Sequence, residues 1–448
     1  MSESDGRERQ VMIVGGGLAG LAAAARFSLQ GWRVRLFEKG PRWGGLIGST
    51  RHAQGVIEHA AHALIHTPAV ARAAHSAGVE LVGARPSARR RYFGSCPIES
   101  SDLPGRLSRW PLGPTQSLLV VRGLWRLRKS DMARPRSLES VAEWGERIFG
   151  QDFVSQILTP ALQGIHAAPA ETLHAGAVLT RFFEPATNHR RRERVSPKGS
   201  VAPRGGMQDL VDALVRQLEM QGAELHLNRA AKFEDLRSPE KLIVAGSARD
   251  AARFFAENDL SRQSSFSQEE LADLHLTIES LRKIAMLGLI SVTLHRTRKF
   301  CDGFGAVFAN AHRHGVLGVL QNDSIFDGRI GERGDAASET WILGGFAQDR
   351  AWLARSDAEI LAEIEQFRRR YRGRASGEQE EILNSEVHRW PEAIPHYNST
   401  IGQGAALWSK PRRRWALTGN YLGHIGAAGF FARAEALEEY WRLQGEGL

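Results

Sequence analysis

Covalent cross-links and membrane-spanning segments are not expected in this chain. Its two cysteines, Cys96 and Cys301, lie far apart and match no metal-binding or Cys-x-x-Cys spacing, which predicts a reducing compartment and no disulfide. The polar N-terminus MSESDGRERQ lacks an apolar core, so we expect no signal peptide. No run approaches the roughly eighteen apolar residues that a spanning helix needs. The sequence therefore predicts a cytoplasmic protein.

Acidic residues are outnumbered by basic ones, which narrows the set of partners. The 448 residues carry a formal net charge of +9, which suggests nucleic acid, an anionic membrane surface or an acidic small molecule. The basic runs are scattered over positions 89–91, 189–194, 368–374 and 412–414. Most of these runs are expected to be solvated, and we predict no nucleic-acid partner.

The start of the chain predicts a dinucleotide-binding unit. An apolar run, Val11 to Val14, indicates a buried parallel strand that ends in G-x-G-x-x-G, and an Ala-rich helix follows. The glycines are Gly15, Gly17 and Gly20. They let a pyrophosphate approach the helix N-terminus. A second strand, Arg33 to Phe37, delivers Glu38 eighteen residues after Gly20, where a carboxylate reaches ribose hydroxyls and disfavours NADP.

Beyond this acid the chain supplies Lys39, Arg42 and a second glycine pair, Gly44 and Gly45. A Rossmann unit that binds only a nicotinamide cofactor does not need that pair. The stretch from Glu38 to Gly45 resembles the extended fingerprint of the flavoprotein superfamily that contains amine oxidases, phytoene desaturases and protoporphyrinogen oxidases. The cofactor implied by this resemblance is FAD.

The middle of the chain, from about Ser101 to Arg194, has an all-helical pattern, with Ser137 as a predicted helix cap. Its first part mixes Trp110, Trp125 and leucines with arginines, as a monotopic membrane helix does. An ordinary amphipathic helix on a basic protein explains this mixture equally well. Peripheral attachment to the inner face of the cell membrane therefore stays open.

The remaining segments predict two further structural units. The stretch VELVGARPSARRRYFGSCPI indicates a hairpin that leads out of the cofactor domain. From Ala285 onward, long alternating strands predict an antiparallel sheet that forms one wall of a substrate cavity. The chain closes with a strand, a glycine turn and a helix whose N-terminus would face the flavin.

Several blocks together narrow the resemblance. RGGMQDLVDALVRQL, GFGAVF, GVLGVLQNDSIF, WPEAIPHYN and TGNYLGHIG come in the order of the protoporphyrinogen oxidase family, which includes coproporphyrinogen-oxidising bacterial members. The resemblance covers nearly the whole chain. It implies dehydrogenation of a porphyrinogen, protoporphyrinogen IX or coproporphyrinogen III, to the porphyrin in haem biosynthesis. The electron acceptor implied is oxygen or a quinone, and the oligomeric state is left open.

The fold class implied is α/β with an α+β substrate domain. It combines a non-contiguous Rossmann-type FAD-binding domain, an antiparallel-sheet substrate domain and an all-α membrane-binding insert. The expected FAD-binding parts are residues 1–75, 201–260 and 405–448. The expected substrate domain comprises the hairpin of residues 76–100 and residues 261–404, and the helical insert spans residues 101–200.

The resemblance also implies site residues. Arg91 matches an arginine that pairs with a substrate propionate, with Arg89 and Arg90 open as alternatives. Phe304 matches an aromatic over a pyrrole ring, and Val307 and Ile342 match apolar pocket positions, although all three also suit an ordinary sheet core. The FAD contacts implied are Gly15, Gly17, Leu18, Ala19, Gly20, Glu38, Lys39, Arg42, Gly44, Gly45, Ala231, Gly423, His424 and Ile425. Because the flavin carries the chemistry, we predict no catalytic side chain and no metal.

Three departures from the family pattern leave alternatives open. Glu58 is followed by His-Ala-Ala-His rather than Gly-Pro, a hairpin is shortened between residues 229 and 240, and residues 427–433 lack the usual acid or amide. Lower FAD affinity or another substrate would follow from these changes. The alternatives are a related flavin oxidoreductase acting on an amine or polyene, and a non-catalytic tetrapyrrole-binding paralogue.

Overall fold

The computed structural model describes residues 9–95, 105–129, 133–179, 183, 199–235, 240–258, 267–331, 336–372, 380–423 and 425–445. The strands are β1 (Gln10–Val14), β2 (Arg33–Phe37), β3 (Ser49–His52), β4 (Gly55–Glu58), β5 (Leu64–Ile65), β6 (Leu81–Gly83), β7 (Arg91–Ser95), β8 (Arg106–Ser108), β9 (Ser200–Pro203), β10 (Glu224–His226), β11 (Lys241–Val244), β12 (Met286–Arg296), β13 (Gly305–Phe308), β14 (Val316–Gln321), β15 (Ala337–Gly344), β16 (Ile382–Pro395) and β17 (Trp415–Leu417). The helices are α1 (Leu18–Leu29), α2 (Pro68–Ser76), α3 (Pro114–Lys129), α4 (Val141–Phe149), α5 (Gln151–Phe153), α6 (Thr159–His166), α7 (Ala175–Leu179), α8 (Met207–Met220), α9 (Ala248–Glu257), α10 (Gln268–Leu281), α11 (Ala311–His314), α12 (Asn322–Ile325), α13 (Asp349–Leu353), α14 (Asp357–Arg372), α15 (Ser399–Ser409) and α16 (Ala428–Gly445).

A five-stranded parallel sheet holds the N-terminal glycine motif at its centre. The strand order is β10-β2-β1-β11-β17, and each neighbouring pair is parallel. The middle residues of β1 and β11 are buried, as in a parallel sheet that is covered on both faces. Helices α8 and α16 pack on α1. Because β17 joins this sheet, the C-terminal strand, turn and helix lie in the same layer as the N-terminal motif.

A seven-stranded, mainly antiparallel sheet forms the second layer, in the order β16-β12-β15-β14-β13-β7-β8. Residues paired across neighbouring strands share a face, so the register assigns each side chain to one of two faces. The helix-covered face carries buried apolar side chains that pack on Phe367 and other residues of α14. These sheet residues are Ile290, Val292, Leu294, Ala306, Phe308, Val319, Trp341 and Leu343. The opposite, polar face carries Arg91, Phe93, Ser291, Thr293, His295, Val307, Thr340, Ile342, Glu386 and His388.

Two sequence predictions about the middle of the chain are wrong. The expected hairpin of residues 76–100 does not form, because β6 pairs with β9 in a separate three-stranded sheet whereas β7 pairs with β13 and β8. Ser137 is not a helix cap. Ser140 caps α4 instead, because Glu143 lies three residues after it and completes a reciprocal capping box.

The segment predicted as all-helical contains one strand, since β8 pairs with β7 at the edge of the large sheet. Its other described elements are helices α3 to α7, with a π-helical turn at Val154–Leu158 between α5 and α6. Helix α15 is an addition that the sequence patterns did not indicate. Among the described helices, none is long and apolar enough to cross a membrane.

Candidate active site

Two glycines of the N-terminal motif are required by the fold itself. A Cβ atom at Gly20 would lie 1.9 Å from the carbonyl oxygen of Gly15, so any side chain there would separate α1 from β1. Gly15 has a φ of +106°, and a Cβ on it would approach the Ala245 carbonyl oxygen to 2.9 Å. These two positions explain how the helix lies so close to the sheet.

Gly17 is different, because neither its backbone angles nor its neighbours require glycine. It precedes α1 with a φ of −67°, and a Cβ there would come no closer to another atom than 3.8 Å, at the Cα of Gly45. No side chain caps the first turn of α1. The backbone at Gly17 and Gly45 is therefore bare beside a helix N-terminus, which suits a phosphate group that must approach the main chain.

The acid and cations of the extended fingerprint surround this cradle. The Glu38 carboxylate accepts hydrogen bonds from the backbone N–H groups of Gly16, at 2.7 Å, and Gly40, at 2.6 Å. Lys39 forms an ion pair of 2.7 Å with Asp250. Arg42 donates to the Ile47 carbonyl oxygen at 2.6 Å and to that of Gly45 at 2.5 Å, so it shapes the second glycine turn.

The other predicted FAD contacts lie on three segments. Leu18 and Ala19 are buried in the first turn of α1. Ala231 and Ile425 are half-buried against one apolar core cluster. Gly423 has a φ of +86° with open space where a Cβ would be. His424 lies outside the described residues.

The predicted apolar substrate residues form a row on the polar face of the large sheet. Val307 pairs with Gly318, Gly318 with Ile342, Ile342 with Ser291, and Ser291 with His388. Gly318 places no side chain between these two half-buried aliphatic side chains. Ser291 is buried, and its hydroxyl has no hydrogen-bond partner among the described residues.

Arg91 and Phe304 are brought into contact beside this row. The strands β7 and β13 run parallel with Arg91 opposite Gly305, and the Phe304 N–H donates to the Arg90 carbonyl oxygen at 2.8 Å. The Arg91 guanidinium lies 4.4 Å from the centre of the Phe304 ring. Arg89 and Arg90 precede the strand, so the register favours Arg91 as the cation at this position.

Four histidines, His62, His166, His396 and His424, are candidates for proton transfer by position, and the first three are described. Burial lowers the pKa of His62 to about 3 and that of His166 to about 4, so both imidazoles are neutral at neutral pH. His166 contacts Tyr397, with ring centres 4.9 Å apart, and its Nδ1 has no partner among the described residues. His396 contacts Thr172 at 3.0 Å. The fourth, His424, lies outside the described residues.

A buried ion pair joins the two layers, and sequence reasoning missed it. The carboxylate of Glu58 accepts hydrogen bonds from Arg329 at 2.6 Å, from the Ser49 hydroxyl at 2.6 Å and from the Met207 N–H at 3.0 Å. Burial raises the pKa of Glu58, and the charge of Arg329 opposes that rise. No sequence spacing links Glu58 to Arg329, since 271 residues separate them.

A parallel nucleotide-binding sheet with a bare glycine cradle, facing a larger mainly antiparallel sheet, defines an FAD-dependent oxidoreductase of the amine oxidase type. The family model for flavin containing amine oxidoreductases matches residues 18–257, and the chain belongs to that family. FAD is its cofactor. The residues fit this group, because the cradle at Gly17 and Gly45 is open and the Glu38 carboxylate is held beside it by the Gly16 N–H.

Similar proteins include both porphyrinogen and amine oxidases. Protoporphyrinogen oxidase 2, chloroplastic/mitochondrial, of Arabidopsis thaliana is 23% identical over 88% of this chain and 85% of its own length. An oxidoreductase from Methanosarcina mazei superposes with a TM-score of 0.68 at 15% identity, covering 96% of this chain and 100% of the other. Cyclohexylamine oxidase from Brevibacterium oxydans IH-35A superposes with a TM-score of 0.66 at 13% identity, covering 97% of this chain and 100% of the other. The structural likenesses show a shared fold.

Proposed function

We propose that this enzyme dehydrogenates a porphyrinogen, protoporphyrinogen IX or coproporphyrinogen III, with oxygen or a quinone as the electron acceptor. The observation that carries the proposal is the contact between Arg91 and Phe304 beside the row of Val307, Gly318 and Ile342. A cation beside an aromatic ring and an aliphatic wall suits a broad apolar ring system that bears carboxylates. The similarity to the Arabidopsis enzyme supports the same substrate class.

The side chains of this site bind and orient the substrate. The Arg91 guanidinium would pair with a substrate carboxylate, and the aliphatic row would hold the macrocycle by burying its apolar surface. The chemistry that FAD supplies when bound is acceptance of the hydride that leaves a ring-bridging carbon of the porphyrinogen. Placing that carbon correctly and excluding water are the contributions expected from the protein.

The proposed reaction is tested by mixing the purified yellow enzyme with each porphyrinogen under anaerobic conditions. We expect the flavin absorbance to bleach and porphyrin fluorescence to appear. The matched control is Gly17→Ala, whose Cβ the fold accommodates but which fills the phosphate cradle, and this variant should be folded, colourless and inactive. A wild-type flavin that stays oxidised with both porphyrinogens, or is reduced only by amines, would contradict the proposal.

We also propose that the helical insert binds the surface of an anionic membrane. Helix α3 packs inward through Gly123, where a Cβ would lie 2.3 Å from the Phe149 ring. Its outward side exposes large apolar residues. The exposed fractions are 69% for Leu118, 48% for Leu119, 61% for Val121, 51% for Leu124 and 58% for Trp125. Such a face, flanked by the exposed Arg122, is typical of a monotopic membrane helix.

Membrane binding is tested by sedimentation with vesicles that contain phosphatidylglycerol. The wild-type protein should sediment with these vesicles, and a variant with Leu118→Ser and Val121→Ser should remain largely in solution. Met220→Ser removes another exposed apolar side chain, on α8, and should sediment like the wild type. Equal sedimentation of all three proteins, or no sedimentation of the wild type, would contradict this assignment.

A further inference from the structure

A group of histidine and glutamate side chains lies where the two layers meet. Glu386 and His388 project from β16 on the polar face, and His59 follows β4 on the dinucleotide-binding side. One ligand atom from each residue lies within 4.8 Å of the others. The group therefore joins segments more than 300 residues apart in the chain, and it includes a histidine from the segment that departs from the family pattern.

The three side chains lie close together, and the two imidazole rings would have to turn to share one ion. His388 Nε2 lies 2.9 Å from a carboxylate oxygen of Glu386, and the His59 and His388 rings are stacked with centres 4.0 Å apart. Tetrahedral ligands at about 2.1 Å from zinc are about 3.4 Å apart, so the most distant pair must approach by about 1.4 Å. All three side chains are half-buried and retain access to solvent.

Neighbouring groups hold the three side chains in place. His52 Nε2 hydrogen-bonds to the other carboxylate oxygen of Glu386. The Thr50 hydroxyl lies 2.7 Å from His59 Nε2, which leaves Nδ1 of that ring for another partner. Such outer partners fix the orientation of metal-binding side chains.

A buried histidine in the sheet beside this group also lacks a hydrogen-bond partner among the described residues. His295, on β12, is completely buried, and neither ring nitrogen has a hydrogen-bond partner among the described residues. It lies on the polar face two residues along β12 from Thr293, which is paired with Glu386. An unpaired buried imidazole is costly unless a further group approaches it. Arg42, the nearby cation, is held by the carbonyl oxygens of Gly45 and Ile47.

We propose that His59, Glu386 and His388 bind a divalent transition-metal ion, with zinc as the best match. Two imidazoles and one carboxylate form a ligand set that zinc accepts with a fourth position left to water. Bound metal would tie the loop after β4 to β16 and so stabilise the contact between the two layers. This site is independent of the porphyrinogen proposal, because it requires neither flavin nor substrate.

The test is zinc binding to the full-length protein after treatment with a chelator. Competition with a fluorescent zinc indicator should give one site per chain, zinc should raise the melting temperature, and Co²⁺ should produce the visible absorption of a tetrahedral or five-coordinate site. Glu386→Gln keeps the size and a hydrogen-bonding oxygen while removing the charge. It should weaken zinc binding by about tenfold or more, and His388→Ala should do the same.

The control is His75→Ala, which removes an exposed histidine of α2 far from the group and should bind zinc like the wild type. Melting of each metal-free variant shows whether it is folded. His388→Gln, which retains a hydrogen-bonding side chain, replaces His388→Ala if the latter is unfolded. Absence of zinc binding by the wild type would overturn the proposal. Equal affinity in the wild type, Glu386→Gln and the folded His388 variant would overturn it too.

Discussion

The two faces of the seven-stranded sheet differ in the surroundings of their side chains. On β15, Trp341 points to the helix-covered face, where Phe300, Phe308 and Phe367 surround it. The next residue, Ile342, points to the polar face and is half-buried. The same strands therefore provide a close-packed core on one side. On the other side half-buried aliphatic residues lie beside Ser291 and His295, whose side chains have no hydrogen-bond partner among the described residues.

This difference predicts which side chains of the sheet matter mainly for stability and which matter mainly for substrate binding. Side chains that close-pack against α14 lose many contacts when they are shortened, because a buried cavity is left behind. Val307 and Ile342 on the polar face are only half-buried, so their replacement should alter binding more than folding. Mutations of adjacent residues on one strand can therefore test the account.

The largest effect is expected for Trp341→Ala on the helix-covered face. The change removes a completely buried indole and should lower the free energy of unfolding by about 3–5 kcal/mol. Its neighbour supplies the control, since Ile342→Ala removes a half-buried side chain and should cost roughly 1 kcal/mol. Denaturant unfolding of both variants measures the difference. Equal losses of stability would show that the two faces are packed alike.

A smaller effect, on binding, is expected for Arg91→Ala at the polar face. Loss of a charged hydrogen-bonding partner should weaken porphyrinogen binding by roughly 1–3 kcal/mol, seen as a raised KM with stability unchanged. Arg89→Ala is the matched control, because Arg89 lies in a short 3₁₀ turn before β7. If Arg89→Ala raises KM as much as Arg91→Ala does, the assignment of Arg91 is wrong.

The smallest effect is a pH dependence on the helix-covered side. Burial lowers the pKa of His314 to about 4, and the neutral ring both accepts from the Val316 N–H and contacts the Ala309 carbonyl oxygen. Because the unfolded chain binds a proton at higher pH than the folded one, stability should fall as pH drops from about 6.5 towards 4. From pH 7 to 5 the loss from this residue is about 1.8 kcal/mol.

His314→Asn should reduce that loss, because an amide can hydrogen-bond without titrating. Unfolding free energies of the wild type and variant at pH 7 and pH 5 measure the difference. A variant with the same decline as the wild type would show that His314 does not contribute to it.

The dinucleotide-binding unit was predictable from the sequence because its chemistry is local. The glycine spacing, the strand and Glu38 lie within a short stretch, and the closest steric requirement, that of Gly20 against Gly15, is local too. The cap of α4 was harder to predict, since Ser137 and Ser140 both suit a cap. Only Glu143, three residues after Ser140, identifies Ser140 as the cap.

Contacts between distant strands were not predictable. The pair of Glu58 and Arg329, and the group of His59, Glu386 and His388, depend on sheet register and on how the two layers meet. A single sequence contains no spacing that encodes those contacts. The hairpin failed for the same reason, because β6 pairs with β9 and β7 pairs with β13, both far along the chain, in addition to the nearby β8.

The claim that the polar face forms the substrate wall is tested most directly by flavin reduction in Ile342→Phe. Ile342 is paired with the small residues Gly318 and Ser291, and the larger ring would extend over them along the proposed substrate wall. Anaerobic mixing with porphyrinogen should then show normal flavin content and melting temperature, with flavin reduction slowed about tenfold or more. Reduction at the wild-type rate in this variant would contradict the account.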